Sequence, residues 1–175
     1  MRILEHRRHS LRDPPSPHLN RAGVALARRI GPTIGPFARV VTSPKARAIE
    51  TAAALGCVVD EEREELEAMP EPIGRILDRR PPQSFAGFVA LVRGNEEIAG
   101  YARSQAALWR AELERVPDGG AVLMISHAGL IELGAAGAVP DIAGGWGEPL
   151  APLDGVRLML DRGRWTDGGV IRAVR

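Results

Sequence analysis

Cysteine and lysine are almost missing from this sequence. Cys57 is the only cysteine among 175 residues, which excludes an intrachain disulfide and a zinc site built from several cysteines. Lys45 is the only lysine, so arginine carries nearly all of the positive charge. That arginine, together with abundant alanine and glycine, is typical of a GC-rich bacterial genome. We therefore assign specific roles only to the arginines that lie inside motifs.

Long apolar segments and a strong net charge are lacking as well. No apolar run approaches the roughly 20 residues of a membrane-spanning helix. The stretch after Met1 soon turns polar and lacks the apolar core of a signal peptide. The formal net charge is only +1, which gives no reason to expect a nucleic acid or a membrane surface as a partner. We expect a cytoplasmic protein with neither partner.

Three polar motifs each follow a predicted strand. In chain order they are Arg8 to Arg12, Ser43 to Arg47 and Ser126 to Gly129. Because the carboxyl ends of parallel strands share one edge of a sheet, we expect the three motifs to converge on one pocket. Guanidinium groups bind phosphate oxygens in pairs, and a neutral imidazole can act as a covalent nucleophile. The convergence therefore predicts a site that holds a phosphoryl group while an imidazole attacks it.

The rest of the pattern predicts alternating strands and helices. Predicted strands cover 2–7, 37–42, 57–59, 121–125, 156–160 and 170–174. Predicted helices cover 20–30, 44–55, 85–92, 98–113 and 130–136, with Asn20 and Ser43 as N-caps. We expect a solvated acidic face at 60–67, an irregular segment at 68–83, and a last turn at either 162–163 or 167–169. The alternation predicts an α/β sandwich with a mostly parallel sheet.

The three motifs, in this order, resemble those of the histidine phosphatase superfamily, whose fold is phosphoglycerate mutase-like. Arg8, His9 and Arg12 match Arg-His-x-x-Arg, and the second motif matches Ser-Pro-x-x-Arg-Ala-x-x-Thr-Ala from Ser43 to Ala52. Ser126, His127 and Gly129 match Ser-His-x-Gly. The resemblance spans most of residues 1–137. It implies a three-layer α/β/α sandwich, with residues 1–175 as a single domain and about 68–105 as a small cap.

The resemblance also implies a role for each motif residue. His9 is the nucleophile, Arg8, Arg12 and Arg47 clamp the phosphoryl oxygens, and His127 adds a further donor. The sequence departs from the family at Ser10, where glycine or alanine is common, and at Ala68, where the proton-donating glutamate is expected. For that general acid Glu71 is the first candidate and Glu67 the second. His6 is the alternative nucleophile, but the Arg-His-x-x-Arg spacing fits His9.

These assignments predict a metal-independent phosphatase that hydrolyses a phosphate monoester through a phosphohistidine on His9. We expect no metal and no cofactor, and either a small phosphorylated molecule or a phosphoprotein as the partner. The alternatives are a phosphomutase of the same fold and a non-catalytic phosphoryl-binding regulatory module. A serine hydrolase built on Ser126 and His127 is disfavoured, because no Gly-x-Ser-x-Gly elbow occurs in the sequence.

Overall fold

One sheet with helices on both faces organises residues 1–79 and 81–174, the parts of the chain that the computed structural model describes. Its strands are β1 (Arg2–Arg8), β2 (Arg39–Thr42), β3 (Glu61–Glu62), β4 (Ala121–Ser126), β5 (Gly155–Asp161) and β6 (Arg164–Ile171). The helices are α1 (Arg21–Ile30), α2 (Ala46–Ala54), α3 (Glu71–Arg79), α4 (Phe85–Gly94), α5 (Glu96–Glu114), α6 (Leu130–Ala138) and α7 (Pro140–Ala143). None of these helices combines the length and the apolar character that crossing a membrane requires.

The strand order is β3-β2-β4-β1-β5-β6. The first four strands in that order are parallel, whereas β5 pairs antiparallel with β1 and β6 antiparallel with β5. The register places Arg8 beside Ser126 and Thr42 beside Ile125, so β1, β2 and β4 end at the same level. The predicted α/β sandwich with a mostly parallel sheet is confirmed, and its three motifs emerge at one sheet edge.

Alternating side chains on the central strands build one hydrophobic layer on each face of the sheet. Leu4 and Met124 pack with Trp109 of α5 and with α6 on one face. Leu123 and Ile125 pack with residues of α1 and α2 on the other face. Strands buried on both faces read as continuous apolar runs, which is why the sequence 121–125 identifies β4 so clearly. This rigid double core fixes the strand ends from which the motif residues project.

The first turns of α1 and α2 differ in how well the sequence predicts them. Asn20 caps α1 as predicted, because its side chain accepts a hydrogen bond from the Gly23 N–H. Ser43 is not the N-cap of α2: the helix begins at Ala46, and Lys45 occupies the cap position without a side-chain hydrogen bond. The Ser43 hydroxyl is instead 3.0 Å from His127 Nε2 and accepts a bond from the Lys45 N–H. Its interaction with His127 places Ser43 in the predicted site.

The edge strand beyond β2 lies later in the chain than predicted. Residues 57–59 form no strand, and Val58 is 83% exposed. The two-residue β3 pairs with Val41 and Thr42 instead. Glu61 of β3 forms ion pairs with three arginines, Arg39, Arg63 and Arg115. The prediction of a purely solvated acidic face at 60–67 is therefore wrong at this position.

Two further segments correct the sequence prediction. The region 68–83 is not irregular throughout, because α3 occupies 71–79 and buries Ile73 and Leu77. The last strand begins at Arg164 rather than near Val170, and the turn at 162–163 joins it to β5. Gly168 and Gly169, the alternative turn, lie inside β6. The short helix α7 was not predicted.

Candidate active site

The polar residues that interrupt β1 are buried, Glu5 and Arg7 on one face of the sheet and His6 on the other. Glu5, His6 and Arg7 are each at most 3% exposed. Arg7 Nε and Arg157 Nη2 both donate to the Glu5 carboxylate at 2.6 Å, and Arg7 Nη1 donates to the Leu153 carbonyl. Arg7 is therefore committed to internal partners, which leaves Arg8 as the arginine of β1 that faces the site.

His6 lies on the other face of β1 from Arg7 and is fully buried. Its Nε2 is 2.7 Å from the Ser126 hydroxyl, and its ring meets Trp109 edge-on at 5.0 Å. Burial lowers the pKa of His6 to about 3, so the ring is neutral near neutral pH. This position makes His6 a structural support for β4 rather than an accessible nucleophile.

His9 follows β1 directly and is 7% exposed. Its backbone N–H donates to the Ser126 carbonyl, which ties the residue to the end of β4. Its Nδ1 lies 2.7 Å from the Ser10 carbonyl oxygen. Because a carbonyl can only accept, Nδ1 must carry the proton, and Nε2 on the far edge of the neutral ring holds the free electron pair. The hydrogen bond thus selects the tautomer that a nucleophile needs.

Burial and nearby positive charge keep the His9 ring neutral. Burial, and the charges of Arg47, Arg8 and Arg12, lower the pKa of His9 to about 4, although the bond to Ser10 acts in the opposite direction. The same electrostatics shows that the arginines of two motifs converge on one imidazole. Such a cluster repels a proton from His9 and attracts an anion to it.

The loop after His9 is anchored by the residue that departs from the family pattern. The Ser10 N–H donates to Thr51 Oγ1 at 3.0 Å, and the Ser10 hydroxyl donates to the Gly23 carbonyl at 2.7 Å. Gly23 lies so close to the loop that an added Cβ would be 2.1 Å from the Leu11 carbonyl oxygen. Ser10 therefore joins the nucleophile loop to α1 and α2, and a serine at this position fits the site well.

The three motif arginines are held in place by different parts of the chain. Arg8 Nη1 donates to the Leu150 carbonyl at 2.7 Å, and Arg12 Nη1 donates to the Ser16 carbonyl at 3.0 Å. Arg47 lies in the first turn of α2, whose free amide N–H groups favour an anion. Its Nε is buried and has no hydrogen-bond partner among residues 1–79 and 81–174. An anion bound in front of His9 would supply such a partner.

His127 completes the cluster from the end of β4. Its ring centroid is 5.3 Å from that of His9, and its Nε2 is 3.0 Å from the Ser43 hydroxyl. Burial, followed by the charges of Arg47, His9, Lys45 and His6, lowers the pKa of His127 to about 3. Its Nδ1 is buried without a hydrogen-bond partner in the described part of the chain. The structure thus brings together all three predicted motifs.

The two candidate acids lie in different surroundings. Glu71, at the start of α3, is 76% exposed and forms an ion pair with Arg75 one turn later at 2.8 Å. Glu67 is 49% exposed and lies 3.7 Å from Lys45 Nζ. Because the charge of Lys45 acts on His127, Glu67 is connected to the cluster in a way that Glu71 is not. The general acid stays a prediction, and the contact with Lys45 is a reason to consider Glu67 before Glu71.

Sequence reasoning missed three groups that contact site residues. They are Lys45, the Leu150 carbonyl that accepts from Arg8, and Glu132, whose carboxylate accepts from the Gly129 N–H at 2.6 Å. Glu132 carries a signal that could have been used, because it is the only charged residue in the apolar sequence of α6. Leu150 lies in a loop far along the chain, and no local pattern connects it with Arg8.

Comparison with known families decides the classification. The family model described as the histidine phosphatase superfamily (branch 1) matches residues 4–166. The chain belongs to the histidine phosphatase superfamily. The match includes all three motifs, so the resemblance predicted from them is confirmed. Among curated proteins compared by sequence, none matches this member of the superfamily.

Solved structures share the fold of this superfamily member at low sequence identity. A phosphoserine phosphatase from Entamoeba histolytica, solved with 3-phosphoglyceric acid, is 17% identical with a TM-score of 0.69, over 95% of this chain and 94% of that one. A phosphoglycerate mutase from Bacillus anthracis is 16% identical with a TM-score of 0.66, over 98% and 92%. A mycobacterial glucosyl-3-phosphoglycerate phosphatase, solved with VO3, is 20% identical with a TM-score of 0.65, over 95% and 96%. These similarities confirm the phosphoglycerate mutase-like fold.

Proposed function

We propose that this histidine phosphatase hydrolyses a phosphate monoester through a phosphohistidine formed on His9. The single observation that carries the proposal is the hydrogen bond from His9 Nδ1 to the Ser10 carbonyl, inside a cluster of three arginines. That bond leaves Nε2 as an unprotonated nucleophile where an anionic phosphoryl group is attracted. Three fixed guanidinium charges supply the charge stabilisation that a transferring phosphoryl group requires, so the proposal needs no metal ion or cofactor.

The reaction proceeds in two balanced steps. His9 Nε2 forms a bond to phosphorus while the ester P–O bond breaks, and the leaving oxygen takes a proton from a carboxylic acid. Water then attacks the phosphohistidine, its proton returns to the carboxylate, and the P–N bond breaks to release inorganic phosphate. Arg8, Arg12 and Arg47 hold the equatorial oxygens in both steps, and His127 contributes a hydrogen bond once the anion is bound.

We infer that Glu67, with Glu71 as the alternative, is the acid that protonates the leaving group. The position of Glu67 beside Lys45 supports this order. Replacing the true acid by glutamine should lower kcat for alkyl phosphates at least about tenfold but leave aryl phosphates much less affected, since a phenolate needs little protonation. Steady-state kinetics of Glu67→Gln and Glu71→Gln on both ester types checks this. Full alkyl phosphatase rates in both variants would assign the proton to another donor.

The substrate class follows from the size of the cap. Residues 68–105 lie between the second and third motifs, and we propose that this short segment forms a small cap over an open site. An open site admits a small phosphorylated molecule or a phosphorylated protein segment. The names of the similar solved structures, two phosphatases of small phosphorylated acids among them, favour a small substrate.

Trapping of the phosphoenzyme tests the proposal directly. Wild-type protein mixed with an aryl phosphate carrying labelled phosphorus and quenched in milliseconds should hold acid-labile label on His9, identified by peptide mass spectrometry. His9→Ala should lose both label and turnover, while His18→Ala, which changes an exposed histidine, should keep both. Retained turnover in His9→Ala would contradict the proposal. Transfer of the label to a second organic acceptor instead of water would identify a phosphomutase.

A further inference from the structure

A buried carboxylate behind the site connects two of its loops. Glu132 is fully buried, and each of its carboxylate oxygens accepts one backbone hydrogen bond. Oε2 accepts from the Gly129 N–H at 2.6 Å, two residues after His127. Oε1 accepts from the Leu150 N–H at 2.9 Å, in the loop that precedes β5. One side chain therefore holds the His127 turn and the Leu150 loop at a fixed separation.

The Leu150 loop also holds a catalytic arginine. Arg8 Nη1 donates to the Leu150 carbonyl at 2.7 Å, so the backbone of Leu150 is bonded to Glu132 on one side and to Arg8 on the other. Burial raises the pKa of Glu132, whereas its backbone hydrogen bonds and the charge of Arg8 act in the opposite direction. Arg8 and Glu132 thus interact both through Leu150 and through their charges.

The chemistry of this arrangement identifies its role. Burying a carboxylate costs free energy, and here the backbone hydrogen bonds and the charge of Arg8 offset part of that cost. Both oxygens are engaged as acceptors, which makes Glu132 unsuited to carry a proton to a leaving group. A carboxylate with two acceptor oxygens can bind both loops at once, whereas an amide has only one acceptor oxygen.

We propose that Glu132 is a positioning residue that sets the guanidinium of Arg8, through Leu150, and the His127 turn, through Gly129, at the distance that a bound phosphoryl group requires. This proposal rests on the proposed function, because the kcat measurements that test it require phosphatase turnover. The affinity for inorganic phosphate depends on the same geometry and is measured without turnover.

The variant Glu132→Gln removes one of the two acceptors at nearly constant volume. Its remaining oxygen can satisfy only one of the Gly129 and Leu150 N–H groups, so one loop is released. We expect kcat on an aryl phosphate to fall at least about tenfold and the Kd for inorganic phosphate, measured by calorimetry, to rise at least about fivefold. Glu112→Gln is the matched control, because Glu112 is equally buried but pairs with Arg39 and Arg63 rather than with a motif residue.

A double-mutant cycle separates positioning from a merely structural role. Because one arm of Glu132 acts through Arg8 and the other through the His127 turn, Glu132→Gln should lower kcat and raise the phosphate Kd by a clearly smaller factor in an Arg8→Ala background than in the wild type. Losses that multiply in the double variant would overturn the proposal, as would a Glu132→Gln enzyme with wild-type kcat and Kd. Should Glu132→Gln not fold, Glu132→Asp, which keeps both acceptors on a shorter side chain, is measured in the same cycle.

The proposal and the function on which it rests fail differently. A wild-type protein without turnover that still binds phosphate in an Arg8-dependent and Glu132-dependent way would contradict the phosphatase function and support the positioning role. A wild-type protein that forms phosphohistidine, together with a Glu132→Gln variant that matches it in kcat and Kd, would support the phosphatase function and contradict the positioning role.

Discussion

The protonation of individual histidines governs the chemistry at the smallest scale. His9, His127 and His6 all have a lowered pKa, and burial is the first cause for each of them. For His9 the result is a free base whose conjugate acid is unstable in this environment. Burial is the first cause of this neutrality, and the charges of the arginines that we propose to bind phosphate add to it.

The acid limb of the pH–rate profile should report this effect. With the pKa of His9 at about 4, kcat/KM for an aryl phosphate should stay level as the pH falls from 7 to 5 and decline only near pH 4. An unperturbed histidine would begin to lose activity near pH 6.5. The measurement is a pH series of kcat/KM under conditions where the protein stays folded.

A substitution at Arg47 serves as the internal comparison. Removing the Arg47 charge should move the acid limb of the remaining activity toward higher pH, because that charge contributes to the lowered pKa of His9. A limb near pH 6.5 in the wild type would contradict the lowered pKa of His9, and a limb that does not move in the Arg47 variant would show that this charge does not act on the nucleophile.

The sequence predicted individual residues correctly where they belong to a motif of fixed spacing. It was wrong where a side chain had two possible hydrogen-bond partners. Arg8, His9, Arg47 and His127 are predicted by motif spacing, and the structure brings them together. Ser43 fits the pattern of an N-cap, yet its hydroxyl interacts with His127, a partner 84 residues away. Such a choice depends on tertiary contact, which a local pattern does not contain.

Close contact between elements fixes the nucleophile loop against α1. The Ser10 hydroxyl and the Leu11 carbonyl both meet the first turn of α1, where Gly23 leaves no room for a side chain. The absence of a Cβ at this point, rather than any special backbone angle, allows helix and loop to approach.

A methyl group at Gly23 should disturb stability and catalysis together. In Gly23→Ala the Cβ would meet a backbone oxygen at 2.1 Å, so helix and loop must separate. We expect the free energy of unfolding to fall by about 1–3 kcal/mol, as for other overpacked sites, and kcat to fall with it because His9 is carried by the same loop. Chemical denaturation and steady-state kinetics measure the two effects.

Gly74→Ala provides the matched control for that prediction. Gly74 lies inside α3, and a Cβ there would have nothing within 4 Å. Alanine should stabilise the helix slightly, by about 0.5–1 kcal/mol, and leave kcat unchanged. Equal unfolding free energies and equal kcat values in the two alanine variants would mean that catalysis does not depend on the close contact between α1 and the loop.

Elements with a strong periodic pattern were predicted well, and elements defined by pairing were not. The long apolar and amphipathic segments gave β4, α4 and α5 almost at their observed bounds. The spacing of Ile73, Ile76 and Leu77 is helical, but the surrounding prolines and charges favoured an irregular segment. β3 consists of two glutamates held by pairing with β2 and by arginine contacts, so its residues carry no strand pattern of their own.

For the whole molecule, the buried histidines connect stability with pH. Above pH 6.5 these rings are neutral in both the folded and the unfolded chain. As the pH falls from 6.5 toward 3, the unfolded chain takes up protons that the folded chain does not bind, so the free energy of unfolding decreases. Each such histidine contributes up to about 1.4 kcal/mol per pH unit.

A substitution of His6 should isolate part of this dependence. His6→Gln removes a ring that is fully buried and neutral in the folded state. The variant should lose stability at pH 7 but show a shallower decrease of unfolding free energy between pH 6.5 and 4, measured by urea denaturation at several pH values. Identical slopes in His6→Gln and the wild type would mean that His6 does not resist protonation in the folded protein.

Because the sequence contains a single lysine, one side chain near the site can be labelled selectively through its amine. Lys45 bears the single side-chain amine of the sequence, 3.7 Å from Glu67, and its charge acts on His127. A reagent selective for primary amines would therefore find one side chain to label, with the chain's α-amino group as the remaining amine. A fluorophore introduced in this way would sit beside the proposed phosphoryl site, and its emission would follow ligand arrival and departure in real time.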